Sequence, residues 1–456
     1  MKLQKKRKLF IVASVFLLIT GGACLLYCSN QPRKLNVILI TIDALRADHL
    51  GCYGYKRNTS PNIDKLAKEG VLFTQAIAQS SHTPTSMSTI LTSTMPNKHS
   101  LYTWGYSLNP NLSTIASVLK SQGYQTIFFV ANNNFSTGLH GFTNGFDVFD
   151  DKEADAVMLT DKALKFIKEC KNKLFFLWIH YMNVHSPYIP LEQYDKLYIN
   201  DELYSQQKKL PIVKDSFNEY GYKGIPESLA KQKGGIDNPD YYIAQYDGAI
   251  KTIDARVEVI LKMLKQYHID KKTLIIITAD HGEMMGEHDY YFFHGAFLYE
   301  PLLKIPLIIK YDKIIPKNKV VETPINANLD VAPTILSILR INRVKTFQGR
   351  SLLGTILKKN KYYSPYVFSD EGYGVKCIRN TGWKLITSYL CNNEYELYDL
   401  KHDPRELNNL VSVEIEKFAY LKQKLDGYKQ LGKNKQPKPI LDEVTKKRLK
   451  SLGYVQ

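Results

Sequence analysis

A chain of 456 residues with 61 Lys and Arg against 44 Asp and Glu carries a formal net charge of +17, and 44% of it is hydrophobic. That balance excludes wholesale disorder and allows one large domain with a substantial core plus a smaller second unit. No nucleic-acid-binding module accompanies the positive charge, so the expected partners are anionic lipid head groups or an anionic substrate, and no nucleic acid.

Met1 to Lys8 holds five Lys or Arg, and the 19 residues from Leu9 to Tyr27 are apolar and uncharged. A run of about 20 such residues can cross a bilayer, and the preceding charge sets the amino terminus in the cytoplasm with the body outside. Residues 1–30 are therefore expected to be a transmembrane anchor or signal segment, and secretion after signal cleavage is the alternative. The six cysteines (24, 28, 52, 170, 377, 391) show no metal-ligand spacing, while a Cys377 to Cys391 bridge is open to the chain in an oxidising compartment.

Asn36 to Ile42 (NVILITI) reads as a strand buried on both faces, and it ends in Asp43. Ser60-Pro61 opens a helix that Gly70 stops, and Val71 to Ala78 is extended. The hydroxyl-rich run from Ser80 to Thr92 has the pattern of a strand-to-helix junction, where free N–H groups hold an anion or where Thr83 serves as a helix cap. Gln125 to Ala131 is a further buried strand ending in Asn132, Asn133 and Asn134. Leu174 to His180 is another, followed by Tyr181 to Tyr188.

From Leu191 to Tyr241 the chain is polar, tyrosine-rich and weakly periodic, which suggests a long surface excursion. Tyr242 to Gln266 is an amphipathic helix. It leads to the strand Leu274 to Ile277, which ends in Thr278-Ala279-Asp280-His281-Gly282-Glu283 and a polar, aromatic loop closing on His294-Gly295. A carboxylate beside an imidazole at the carboxyl end of a buried strand suits a metal site, because strand ends hold ligands rigidly and face the crevice of an α/β sheet. A solvated turn is the bland alternative. Leu302 to Lys310 is read as one strand, a helix runs from Asp330 to about Leu339, and the composition changes near Val344 to Pro365. Beyond it short strands (366–369, 375–379, 383–388, 395–399) precede a terminal helix. Strands alternating with helices, each ending in polar groups, describe a doubly wound sheet with a site along one edge.

Seven blocks then identify a family: NVILITIDALRADHLGCYGY (36–55), SHTPTSMSTILTS (81–93), HYMNVHSPY (180–188), TADHGE (278–283), HGAFLYEPLLKIPLIIK (294–310), YELYDLKHDPRELNNL (395–410) and LKSLGYV (449–455). In this order they resemble the sulfatase branch of the alkaline phosphatase superfamily, from about Asn36 to the carboxyl end. The resemblance implies an alkaline phosphatase-like α/β core, with a mainly parallel central sheet flanked by helices, over residues 35–345. A small carboxyl-terminal α+β subdomain would fill 346–456. It implies a divalent metal held by Asp43, Thr83, Asp280 and His281, and a nucleophile at Thr83. It further implies that His185 and His294 bind the transferred group or protonate the leaving oxygen, and that Asn132 or Asn133 donates a hydrogen bond to the anionic oxygens. His180 closes an apolar strand and is read as structural, while Glu283, His288 and Tyr290 to Phe293 shape the pocket. Asp399, Asp403 and Pro404 are turn and scaffold.

Departures from the family pattern carry information. Sulfatases proper place Cys or Ser in a C/S-x-P-x-R motif and oxidise it to formylglycine. Here Thr83-Pro84-Thr85-Ser86-Met87 lacks both the convertible residue and the arginine. Threonine suits attack on phosphorus, so phosphate esters (diester or monoester) are the expected substrates, with sulfuric esters as the alternative. Ala44 and Asn183 stand where further acids are usual. One ion is therefore expected, Zn or Mn fitting the donors better than Ca; a second ion on His185 and His294 is the other arrangement. The expected reading is an extracytoplasmic hydrolase or transferase acting on an anionic ester of a lipid, glycan or small molecule. An inactive relative that binds anions or glycans is the remaining possibility.

Overall fold

The computed structural model describes residues 32–132, 134–214, 223–358, 365–372, 375–387 and 395–430. Within them the apolar runs become the middle of one sheet. Its strands are β1 (Asn36–Ile42), β2 (Val71–Phe73), β3 (Gln125–Val130), β4 (Val148–Asp150), β5 (Phe175–Tyr181), β6 (Thr273–Ala279), β7 (Leu307–Lys310) and β8 (Lys319–Val321). They lie in the order β8-β2-β7-β6-β1-β5-β3-β4. β6, β1, β5, β3 and β4 run parallel, and β7 pairs antiparallel with β6 and β2. β1, β5 and β6 are buried at every residue, the condition that makes a strand read as an unbroken apolar run.

Helices cover this sheet. α1 (Thr83–Thr92) packs against α4 (Ala327–Leu339), and α2 (Ala156–Cys170) packs on β3, β5 and α3 (Pro239–Gln266). α1 is buried at all ten positions although six carry hydroxyls. Helical backbone lets two of those hydroxyls bond to preceding carbonyls, Thr89 Oγ1 to Thr85 O at 3.0 Å and Thr92 Oγ1 to Ser88 O at 2.7 Å, while Ser88 Oγ is buried without a partner.

A second sheet, β9 (Val367–Gly372), β10 (Val375–Arg379), β11 (Trp383–Thr387) and β12 (Tyr395–Asp399), is antiparallel throughout. α5 (Ile415–Gln430) packs on β10 and β11. Its apolar centre (Ile378, Leu385, Leu397, Leu421, Leu425) also takes in Met95 and Leu329 from the larger unit. Across the joint, buried Lys384 meets Glu300 at 3.2 Å and Arg379 meets Glu300 at 2.8 Å, while Lys384 also pairs with Glu406 of its own unit at 2.8 Å.

Two stretches differ from the sequence reading. Residues 302–310 are divided: Pro301 sits in the first turn of a helix, Glu300–Leu303, and Pro306, with no N–H to donate, delays the strand until Leu307. Residues 191–241 hold helices at Glu192–Asp195 and Glu227–Gln232 and a pair of short strands, Ile212–Val213 with Ile225–Pro226. The apolar run at 9–27, Asn133, Cys391 and the 449–455 block lie outside the described residues. Among the described residues no helix is long and apolar enough to cross a membrane.

Candidate active site

β5, β1 and β6 lie side by side, with Ile42 opposite both Tyr181 and Ala279. The residues that follow β1 and β6, Asp43 and Asp280, therefore leave adjacent strands at one level, roughly 4.8 Å of sheet apart. The bond from Asp43 N to Tyr181 O (2.9 Å) and that from Ala44 N to Asp280 Oδ1 (3.2 Å) fix the three strand ends to one another. On the third strand His180, opposite Thr41, stands two residues earlier than that level. Its ring is set by Thr41 Oγ1, 2.8 Å from Nδ1, and its Nε2 lies 3.5 Å from Asp43 Oδ2.

Thr83 enters from the other side. It is the first residue of α1, after His82 at the cap position, so it is not itself the cap. Its Oγ1 lies 3.0 Å from His281 Nε2. The same nitrogen is 3.6 Å from Asp43 Oδ1 and 3.5 Å from Asp280 Oδ2. His281 Nδ1 donates to Gly282 O at 2.9 Å, which in the neutral ring turns the Nε2 lone pair toward this centre.

Asp43, Asp280, His180 and His281 are fully buried. Both oxygens of Asp43, Oδ2 of Asp280 and Nε2 of His180 have no hydrogen-bond partner, and Asp43, His180 and Asp280 can each offer an atom within 4.8 Å of the others. Burial pushes the Asp43 carboxyl up, but His185, His180 and His281 outweigh it and hold it well below the usual range. Burial and the neighbouring Asp43 charge raise Asp280. Burial lowers the His281 imidazole, yet Asp280 and Asp43 together raise it. Two carboxylates that close, with acceptor atoms left empty, form a cradle for a divalent cation, and the donors present fit one.

Two further histidines flank the cradle. The His294 ring stacks on His281, centroids 4.4 Å apart, and meets His185 edge-on at 4.8 Å. His294 Nδ1 donates to buried Glu283 Oε1 at 3.0 Å, which leaves Nε2 as the nitrogen for a substrate. His185 Nδ1 donates to Ser186 O at 2.6 Å. The loop that carries Glu283 is held by Arg46, whose Nη1 bonds Glu283 O at 3.1 Å and pairs with Glu287 at 2.7 Å.

Thr83, His185, His294, Asp43, Asp280 and His281 are thus brought together. Asn132 lies beyond the end of β3, next to β5, but its Oδ1 accepts from Asn134 N at 3.0 Å, the role of a turn residue. His288 stacks on Tyr299, centroids 3.8 Å apart, near the joint with the small sheet. Sequence reasoning missed His180: it closes an apolar strand, and only the register with β1 brings it to Asp43. It also passed over His82, whose Nδ1 donates to Tyr102 O at 3.0 Å and whose burial drives its pKa down to about 3.

The sulfatase family profile matches residues 35–341, and a profile described as N-sulphoglucosamine sulphohydrolase, C-terminal, matches 286–433. The chain is 24% identical to the N-acetylglucosamine-6-O-sulfatase of Bacteroides thetaiotaomicron over 87% of each chain. Among solved structures, one determined with its substrate D-glucosamine-2-N,6-O-disulfate superposes with a TM-score of 0.72 at 22% identity, covering 89% of this chain and 99% of that one. The phosphonate monoester hydrolase of Silicibacter pomeroyi superposes with a TM-score of 0.73 at 19% identity, covering 88% and 96%.

Proposed function

This chain belongs to the sulfatase family of hydrolases, and from that premise we propose that it cleaves sulfuric esters carried on a saccharide, with Thr83 as the attacking group. The observation that carries the proposal is the cluster of unpartnered Asp43, Asp280 and His180 atoms beside His281 Nε2, the nitrogen that lies 3.0 Å from Thr83 Oγ1. The names of the relatives back the sulfuric ester over the phosphate ester that Thr83 alone suggests.

In this reading Asp43, Asp280, His281 and Thr83 would hold the ion, joined by His180. Two imidazole nitrogens among the donors favour Zn or Mn over Ca. The ion would neutralise the two carboxylates, polarise an ester oxygen and lower the pKa of the Thr83 hydroxyl. Thr83 Oγ1, its proton passed to solvent water, bonds to sulfur as the ester S–O bond breaks. His294, its Nδ1–H fixed by Glu283, gives the Nε2 proton to the departing alcohol oxygen, and His185 binds the sulfonyl oxygens. Water then attacks sulfur, the Thr83 Oγ1–S bond breaks, and sulfate leaves as a proton returns to Oγ1. The apolar run from Leu9 to Tyr27 supports a catalytic body outside the cytoplasm, tethered or released by cleavage.

A second reading rests on one specific observation. Formylglycine forms from Cys or Ser, and position 83 is threonine, a residue suited to phosphoryl transfer. Turnover of an aryl sulfate, an aryl phosphodiester and an aryl phosphomonoester by the metal-loaded protein separates the two. The sulfate should be turned over fastest, and T83A, assayed at saturating metal, should lower that rate on the order of 10³-fold or more. Faster phosphodiester cleavage would transfer the proposal to phosphate esters. No turnover together with no bound metal would leave an anion-binding relative.

A further inference from the structure

Glu371 stands at the end of β9 in the small sheet, 4% exposed, yet its side chain reaches the residues just before Thr83. Oε2 accepts three hydrogen bonds: from Ser81 N at 2.7 Å, Ser80 Oγ at 2.8 Å and Ser81 Oγ at 2.9 Å. Ser80 Oγ in turn accepts from His82 N at 3.1 Å, and Ser80 O accepts from Ser86 Oγ at 3.0 Å. His82 O takes the Ser86 amide at 3.0 Å. Both serine hydroxyls, the Ser81 and His82 amides and the Ser80 and His82 carbonyls are therefore spent on holding the segment, and the first side chain beyond it is Thr83.

The seam between sheets does not require a charge. β9 is already joined to residues 78 and 79 by Ser369 Oγ to Ala78 O at 2.6 Å and Asp370 N to Gln79 O at 2.8 Å. Burying a carboxylate costs free energy that a neutral partner would not, and its hydrogen bonds to charged form are stronger and more directional than neutral ones. That cost falls two and three residues before the proposed nucleophile, where an error of about 1 Å can cost on the order of 100-fold in rate.

We infer that Glu371 is a positioning residue: through Ser80 and Ser81 it sets where the Thr83 hydroxyl stands relative to His281 Nε2. The inference rests on the reading of Thr83 as the attacking group. It predicts that the full-length E371Q protein, folded and metal-loaded like wild type, loses kcat roughly 10- to 100-fold with KM changed less than about threefold. Amide hydrogen exchange of residues 79–83 should quicken in parallel, and S81A, which removes one of the three donors, should show a smaller loss of the same kind. E371A tests the same point, and E371Q and S81A carry it if E371A does not fold. Unchanged exchange in E371Q overturns the inference, as does faster exchange with an unchanged kcat. T83A in the same assay distinguishes the two claims: if wild type and T83A are equally inactive, the reading of Thr83 has failed, and exchange of 79–83 alone decides whether Glu371 anchors the segment.

Discussion

His180 is the residue whose importance depends most on its neighbours. In sequence it sits inside LFFLWIH, where an imidazole resembles a polar stop at the end of an apolar strand. In the fold its Nε2 faces Asp43 at 3.5 Å with no hydrogen-bond partner, and Thr41 fixes the other nitrogen. H180A should weaken metal binding by at least the 10- to 100-fold that loss of an outer partner costs. Metal titration followed by calorimetry would measure it, and an unchanged affinity would return His180 to a structural role. Asp43, Asp280 and His281 were legible for the opposite reason: they follow long apolar runs directly, so their position along the sheet edge is written in one segment, whereas Thr83, at the start of a hydroxyl-rich helix, was singled out by the resemblance. Glu371 was not legible, since its significance lies in residues about 290 positions away.

At the scale of elements, the parallel strands could be read because burial on both faces erases alternation and leaves unbroken apolar runs. Boundaries near prolines were the hardest, as Pro301 and Pro306 show, because each acts through a hydrogen bond it cannot make. The turn after β6 owes its shape to packing that no local pattern reveals. A Cβ on Gly282 would stand 2.0 Å from Pro301 O, and Gly282 N already donates to Leu302 O at 2.7 Å. G282A must push the short helix at 300 away from the turn that carries His281 and Glu283. Overpacking of this kind costs about 1–3 kcal/mol, so urea unfolding should show that loss, with a fall in turnover larger than the fall in stability explains.

At the scale of the whole molecule, the small sheet is joined to the site by buried charge as well as by β9. Lys384, fully buried, lies between Glu300 and Glu406, and burial holds the Glu406 carboxyl above the usual carboxylate range. Removing one member of such a cluster leaves an uncompensated charge and costs about 3–5 kcal/mol. A chain ending at residue 345 would strip Glu300 of both Lys384 and Arg379 and leave Ser80 and Ser81 without Glu371. It should bind little metal and unfold at lower urea than the full chain, as metal content and circular dichroism would record. The seam at residues 78–81 has a further consequence in terms of linkage. A coupling free energy between two places acts equally in both directions. If the small sheet steadies the residues before Thr83, then occupancy of the crevice steadies the small sheet, and its melting becomes a remote gauge of ligand. Substitutions on its outer face, far from any reacting atom, would then shift affinity by whatever part of their stability cost that seam transmits.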